Sequence, residues 1–190
     1  QLFYRRRLPH YQPGGATFFL TYRLAGSLPA HVMRALWKEA RRAWDQIDRL
    51  PETPERETLI YRQQRRLFGL WDRALHQTSS GPFWLRDPQI AALVVESLHF
   101  HDGRRYDLAA FCIMPNHVHV LFTPRLDEMG SYHSLAKIQH SIKRHTARLA
   151  NAILERTGDF WYHENYDHMV RDATEFERIR AYILNNPAKA

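Results

Sequence analysis

The stretch RYDLAAFCIMPNHVHVLFTP, residues 105–124, decides the fold because it predicts a β-hairpin. Residues 105–114 and 117–123 have the composition and the length of strands. The dipeptide Pro115-Asn116 between them is typical of a tight turn. We therefore predict two antiparallel strands that are joined at this turn.

Two histidine pairs of the form His-x-His occur in this hairpin and just before it, and they differ in the geometry we expect. Side chains at i and i+2 point to the same face of a strand, whereas on a helix they diverge by about 200°. His117 and His119 begin the second strand, so their rings should project together and could hold one divalent metal ion. The alternative is two surface histidines on a hairpin. His99 and His101 end a predicted helix, where we expect them to diverge and to form no metal site.

Two histidines do not complete a metal site, and two later segments offer further ligands. In WYHENYDHMV, the residues His163, Glu164 and His168 superficially resemble a zinc-protease helix. That motif requires histidines four residues apart on a helix, and these are five apart, so we reject it. Tyr182 and Asn186 are four residues apart and share a helix face. The amide oxygen of Asn186 could ligate Mg²⁺ or Mn²⁺; alternatively, Tyr182 packs in the core and Asn186 ends the helix.

The other segments predict an α+β fold. Residues 16–24, ATFFLTYRL, and residues 167–172 have the composition of strands. Apolar residues recur at helical spacing in four segments, at about 29–50, 54–76, 88–100 and 134–156. Thr174 with Glu177 predicts a capping box at the start of a last helix. This order of elements indicates helices packed on one face of an antiparallel sheet.

The charge of the chain favours a polyanionic partner, since the net charge is +7 and the pI is near 9.8. In a basic N-terminal arm over residues 1–15, the three residues Arg5, Arg6 and Arg7 lie between Tyr4 and Tyr11. A second cluster lies on the helix at 134–156, opposite its apolar stripe, and consists of Lys137, His140, Lys143, Arg144 and Arg148. A solvated surface is the alternative for both clusters.

The length and composition indicate one globular domain over residues 1–190. The lone Cys112 excludes an internal disulfide and fits a reducing compartment. No apolar run approaches the 18 residues or so of a membrane span, and no N-terminal segment has the pattern of an export signal. We therefore expect a cytoplasmic protein with no membrane partner.

Four motifs in order resemble the single-tyrosine HUH transposases, and within them the REP-associated tyrosine transposases (RAYTs). They are YRRR…GGATFFLTYRL, FCIMPNHVHVLF, FWYHENYDHMVRD and YILNNPAKA. The resemblance implies a ferredoxin-like α+β fold, with an extra helical insertion between the first and second sheet strands, inside the helical region at about 29–104. It also implies that His117, His119 and Asn186 bind a divalent metal, Mg²⁺ or Mn²⁺, and that Tyr182 is the nucleophile.

The resemblance further implies a metal-dependent endonuclease and strand transferase of single-stranded DNA. Such a protein would cleave at or near REP-type hairpins through a 5′-phosphotyrosine intermediate. Its expected DNA contacts are Arg5, Arg6, Arg7, Tyr11, Lys137, Lys143, Arg144 and Arg148. We expect a monomer rather than a homodimer. Two alternatives stay open: a catalytically silent protein that binds DNA hairpins, and a hydrolase that uses a metal-bound water.

Overall fold

The computed structural model describes residues 14–186 and the backbone of residues 3–5 and 9–11. Its elements follow the predicted order closely. They are β1 (Phe3–Arg5), β2 (Pro9–Tyr11), β3 (Phe18–Arg23), α1 (Ala30–Ile47), α2 (Pro54–Gln77), α3 (Pro88–His101), β4 (Tyr106–Met114), β5 (His117–Pro124), α4 (Leu135–Ile153), β6 (Tyr166–Met169) and α5 (Ala173–Asn185). None of the described helices is long and apolar enough to cross a membrane.

The main sheet has four antiparallel strands in the order β4-β5-β3-β6. The predicted hairpin is present as β4 and β5, joined by the turn at Pro115-Asn116. The pairing of β5 with β3 places Thr21 opposite His119 and Arg23 opposite His117. Because β5 lies between β4 and β3, its side chains are central in the sheet. The prediction of an α+β fold with an antiparallel sheet is confirmed.

The two faces of this sheet contact different helices. One face of β3 and β5 joins α3 and α4 in the main core, which includes Phe18, Leu20, Tyr22, Val118, Val120, Phe122, Ile90, Val94, Leu98, Leu135, Ile138 and Ile142. The other face carries Phe19 and His119, and the ring of Tyr182 on α5 lies against both of them. The position of α5 differs from the expectation that all helices pack on one face. Thr21 and Arg23 make this face of β3 the more polar one in sequence, yet both faces are buried, so the sequence did not indicate a helix here.

The chain divides into two compact units, residues 1–25 with 83–190 and residues 26–82. The second unit is an antiparallel pair of helices, α1 and α2, with a small core of Leu28, Leu36 and Leu75. In the sequence, residues 26–82 come between β3 and β4, the first two strands of the main sheet, where the insertion was expected. The single domain over residues 1–190 stays a prediction.

The start of α5 corrects one detail of the sequence analysis. The N-cap is Asp172, whose Oδ1 accepts a hydrogen bond from the backbone N–H of Glu175 at 2.8 Å. The predicted capping box of Thr174 and Glu177 is therefore wrong, because both residues lie inside the helix. Asp172 and Glu175 form the same pattern, an oxygen-bearing cap with a glutamate three residues later, two positions before the predicted pair.

Candidate functional site

The histidine pair of β5 lies inside the protein, and its two rings converge. His117 and His119 are both 0% exposed. Their Nε2 atoms are 3.1 Å apart, and their ring centroids are 4.7 Å apart. The strand therefore presents both rings on one face, as the i, i+2 spacing indicates.

The other ring nitrogen of each histidine is held by a neighbouring side chain. His117 Nδ1 lies 2.6 Å from Asn116 Oδ1, and His119 Nδ1 lies 2.6 Å from Thr21 Oγ1. An amide oxygen only accepts hydrogen bonds, so His117 carries its proton on Nδ1, and the hydroxyl of Thr21 can accept the same bond from His119. When Thr21 accepts this bond and both rings are neutral, both Nε2 lone pairs point into the same space. Two lone pairs at this separation repel unless a cation lies between them, and metal-bound histidines are held in this way.

Tyr182 and Asn186 lie at the C-terminal end of α5, the helix that packs against β4 and β5. The ring centroid of Tyr182 is 5.6 Å from that of His119 and 6.2 Å from that of Phe19. Asn186 caps the helix and is fully buried. The structure thus brings Tyr182 beside the histidine pair, while Asn186 follows one helical turn later on the same helix face.

A buried carboxylate holds the first turn of α5. Glu175 is 4% exposed and accepts hydrogen bonds from His168 Nε2 at 3.1 Å, Arg178 Nη2 at 2.9 Å and the backbone N–H of Arg171 at 3.0 Å. Because His168 belongs to β6 and Glu175 to α5, these bonds tie the helix to the edge of the sheet. Burial lowers the pKa of His168, while the carboxylate of Glu175 opposes that shift.

The remaining residues of the rejected zinc-protease pattern are placed apart. His163 is exposed and lies 3.8 Å from the buried carboxylate of Glu164. His168 faces Glu175 instead. The segment therefore supplies an anchor for α5 and a surface histidine.

The other His-x-His pair diverges at the end of α3. His99 is exposed, with its ring against that of Phe111. His101 is buried, and its Nε2 lies 3.2 Å from Ser141 Oγ. Burial lowers the pKa of His101, and the nearby guanidinium groups of Arg105 and Arg104 lower it further.

A buried guanidinium lies on the same sheet face as the histidine pair. Arg23 is opposite His117 in the strand register and is only 6% exposed. Its guanidinium carbon lies 3.7 Å from the ring centroid of Tyr162. Burial lowers the pKa of Arg23 to about 10, so the side chain stays charged at neutral pH. This positive charge favours an anion near the histidine pair.

Four of the cationic or histidine residues predicted on α4 line one cleft of about 780 Å³. The titratable residues of its lining are Arg105, Lys137, His140, Arg144, His145 and Arg148, with no carboxylate among the described residues that line it. Lys143 lies elsewhere, with its Nζ donating to the carbonyl oxygen of Tyr162 at 2.9 Å. Sequence analysis missed Arg105, because only the fold brings the start of β4 beside α4.

The predicted contacts of the N-terminal arm fall largely outside the described residues. Nothing is described for Arg6 and Arg7, and only the backbone is described for Arg5 and Tyr11. Their role in DNA binding stays a prediction.

Comparison with known proteins confirms the resemblance seen in the motifs. Residues 96–186 match the family described as "Transposase IS200 like". The fold is similar to that of a REP-associated tyrosine transposase bound to a REP hairpin, with a TM-score of 0.50, 15% identity, and coverage of 98% of this chain and 72% of that one. A candidate transposase from Deinococcus radiodurans R1 also matches, with a TM-score of 0.34, 14% identity and 92% coverage of each chain. No curated protein matches significantly.

Proposed function

We propose, from the premise that residues 96–186 carry the sequence pattern of the IS200-like transposases, that the protein cuts and joins single-stranded DNA. In this proposal it acts at or near REP-type hairpins, requires a divalent metal, and forms a 5′-phosphotyrosine intermediate. The observation that carries the proposal is the convergence of His117 and His119, whose Nε2 atoms lie 3.1 Å apart, beside the ring of Tyr182.

The metal ligands in this proposal are His117 and His119 through Nε2, with the amide oxygen of Asn186 as a third ligand. The fit rests on the Nδ1 atoms, which are already occupied by Asn116 and Thr21 and so leave Nε2 for the metal. Mg²⁺ or Mn²⁺ suits a site that combines imidazole and amide oxygen. When bound, the metal would supply positive charge that stabilises the phosphodiester as it reacts.

Tyr182 is the nucleophile in this proposal. Its phenolic oxygen attacks the phosphorus, a new oxygen–phosphorus bond forms, and the bond to the 3′-oxygen breaks. The phenol gives up its proton, and the departing 3′-oxygen gains one. The DNA is then held as a 5′-phosphotyrosine ester, and the 3′-hydroxyl of another strand can reverse the step. The buried charge of Arg23 favours a phosphate on this sheet face.

The DNA would be held by its phosphates at the cleft beside α4. Lys137, Arg144 and Arg148 line this cleft together with Arg105, so the cationic side chains face a common space. The arm residues Arg5, Arg6, Arg7 and Tyr11, together with Lys143, complete the proposed set of contacts. A monomeric state and a cytoplasmic location are further parts of the proposal.

The proposal is tested with a labelled hairpin oligonucleotide that has single-stranded flanks, in the presence of Mn²⁺. We expect the wild type to form a covalent protein–DNA adduct that survives denaturing electrophoresis. Tyr182→Phe should abolish the adduct and leave DNA affinity nearly unchanged, because only the hydroxyl is lost. Tyr162→Phe and Tyr166→Phe are the matched controls and should still form the adduct.

Each other outcome would contradict a different part of the proposal. An adduct in Tyr182→Phe would mean that another tyrosine is the nucleophile. Cleavage without any adduct would indicate hydrolysis by water. Hairpin binding without cleavage would indicate a catalytically silent DNA-binding protein.

A further inference from the structure

The helical insertion, residues 26–82, has an uneven distribution of charge along its length. We call residues 34–42 of α1 and 62–73 of α2 the basic half, and residues 43–61 the acidic half. The basic half contains eight Lys and Arg residues and two carboxylates, a net charge of +6. The acidic half contains two Arg residues and five carboxylates, a net charge of −3. The hairpin is therefore strongly polarised.

The two helices bring the basic segments together. Arg66 of α2 donates to Glu39 of α1 at 2.7 Å, and the rings of Trp37 and Trp71 lie 5.1 Å apart. Residues 34–42 therefore run beside residues 62–73 in the antiparallel pair. At the other end, Arg56 Nε of α2 donates a hydrogen bond to the carbonyl oxygen of Ile47 of α1, which links the two helices in the acidic half.

All eight cations of the basic half are exposed: Arg34, Lys38, Arg41, Arg42, Arg62, Arg65, Arg66 and Arg73. Arg34, Lys38 and Arg41 fall within about 60° of one another around α1 and span about 10 Å of its axis. Glu39 offsets part of the charge of Arg42 and Arg66. Like charges one turn apart destabilise a helix, so this array costs stability in the absence of a binding partner.

The chemistry of the basic half indicates a phosphate ligand. Seven of its eight cations are arginine, whose planar guanidinium group bonds to two phosphate oxygens at once. A membrane surface is less suitable as a partner, because insertion requires exposed large apolar side chains. Within residues 26–82, the exposed large apolar residue is Leu50, which lies in the acidic half.

We infer that the basic half of the α1–α2 hairpin binds the phosphate backbone of DNA, as a contact additional to those of residues 96–186. The choice of DNA over other polyphosphates rests on the proposed function. The phosphate-binding surface itself does not, because it depends only on the charges and exposure of residues 26–82. The acidic half is repelled by the same backbone and points away from it.

The inference is tested by fluorescence anisotropy with a fluorescein-labelled hairpin oligonucleotide that has single-stranded flanks. EDTA is present so that no metal-dependent cleavage occurs. The variant Arg34→Gln/Lys38→Gln/Arg41→Gln keeps good helix formers at all three positions. If each residue contacts one phosphate, the slope of log K against log[salt] should become shallower by about 2 to 3. An unchanged slope would overturn the inference.

The matched control compares two exposed arginines in different halves, Arg41 of α1 and Arg49 of the connection that follows it. Arg41→Gln should weaken binding and lower the salt slope by nearly one, the value for one phosphate. Arg49→Gln, in the acidic half, should leave both unchanged. Equal effects of the two substitutions would mean that only total charge matters, and would also overturn the inference.

The outcome can be separated from that of the proposed function. Adduct formation by the wild type in Mn²⁺ tests the chemistry of Tyr182, whereas the anisotropy measurement contains no reactive step. If the wild type forms adducts and the triple variant binds DNA as tightly as the wild type, the proposed function stands and only the binding of DNA by the basic half is rejected. Thermal unfolding of each variant shows that a loss of binding does not come from unfolding.

Discussion

At the scale of single residues, the candidate site depends on the atoms that hold the histidines as much as on the histidines themselves. Asn116 and Thr21 occupy the two Nδ1 atoms, and this leaves both Nε2 atoms directed to one point. Neither residue needs to touch a metal to matter. Each holds the orientation of a ring, and loss of such a contact typically weakens metal binding by about 10- to 100-fold.

We therefore expect Thr21→Val to weaken Mn²⁺ binding by about 10- to 100-fold, because the valine cannot bond to His119 Nδ1. Isothermal titration calorimetry with Mn²⁺ measures the change. Thr17→Val is the matched control, since the Thr17 hydroxyl bonds to Thr123 and to neither histidine in the described contacts. Equal Mn²⁺ affinities of Thr21→Val and the wild type would show that Thr21 does not support the site.

Sequence alone could identify the histidine pair but not all of its supports. The i, i+2 spacing of His117 and His119 predicts a shared face wherever the strand lies, because that spacing is a property of the strand itself. Asn116 adjoins His117 in sequence, so its contact was open to inference. Thr21 is 98 residues from His119, and only the register of β3 against β5 brings the two together.

At the scale of elements, the important feature is how α5 is held. Glu175 receives three hydrogen bonds while buried, and one donor is His168 of β6. Tyr182 is two turns further along α5, so the angle of the helix at Glu175 sets where the tyrosine ring lies. A capping box, placed at Thr174 and Glu177, predicted this helix but not its anchor, because only the fold brings His168 of β6 to Glu175.

Glu175→Ala should destabilise the protein by about 1 to 3 kcal/mol, because it leaves the buried donors of His168 and of the Arg171 backbone without their acceptor. We also expect slower adduct formation by the folded protein, since α5 loses its tie to β6. Urea unfolding measures the first effect, and single-turnover gel assays at a temperature where the variant is folded measure the second.

Glu177→Gln serves as the control for this element. Glu177 is exposed and lies 3.7 Å from Arg180, so its loss should change stability by less than about 1 kcal/mol. If both glutamate variants unfold at the same urea concentration as the wild type, Glu175 is not an anchor.

At the scale of the whole molecule, buried histidines make the stability depend on pH. The pKa values of His101 and His168 are both lowered, chiefly by burial. The unfolded chain therefore binds protons at these positions more readily than the folded protein does. It follows that stability is complete above the ordinary histidine pKa of about 6.5 and is lost progressively as the pH falls below it.

The expected result is a fall in the unfolding free energy between about pH 6.5 and pH 5, in the range where unfolded histidines take up protons. His101→Gln should make this fall shallower, because glutamine does not titrate and can still bond to Ser141. Urea unfolding at several pH values measures it, with His163→Gln, at an exposed position, as the control. A His101→Gln variant with the pH dependence of the wild type would exclude His101 as a source.

The general architecture could be predicted because each element carries its own signal. The turn at Pro115-Asn116, the helical spacing of α4 and the composition of β3 each predict one element without reference to the others. The arrangement of helices on both sheet faces could not be predicted in this way. On β3 the polar residues Thr21 and Arg23 alternate with apolar ones and suggest a solvent-facing side, yet all six residues are buried and α5 covers that side.

The polarised hairpin has a consequence for how quickly a partner is found. With opposite charges at its two ends, α1–α2 is an electric dipole along its own length. In the field of a distant polyanion such a body experiences a torque that turns its positive end forward before any collision. Productive encounters should then outnumber random ones, so that the association rate, and not only the lifetime of the complex, falls steeply with added salt.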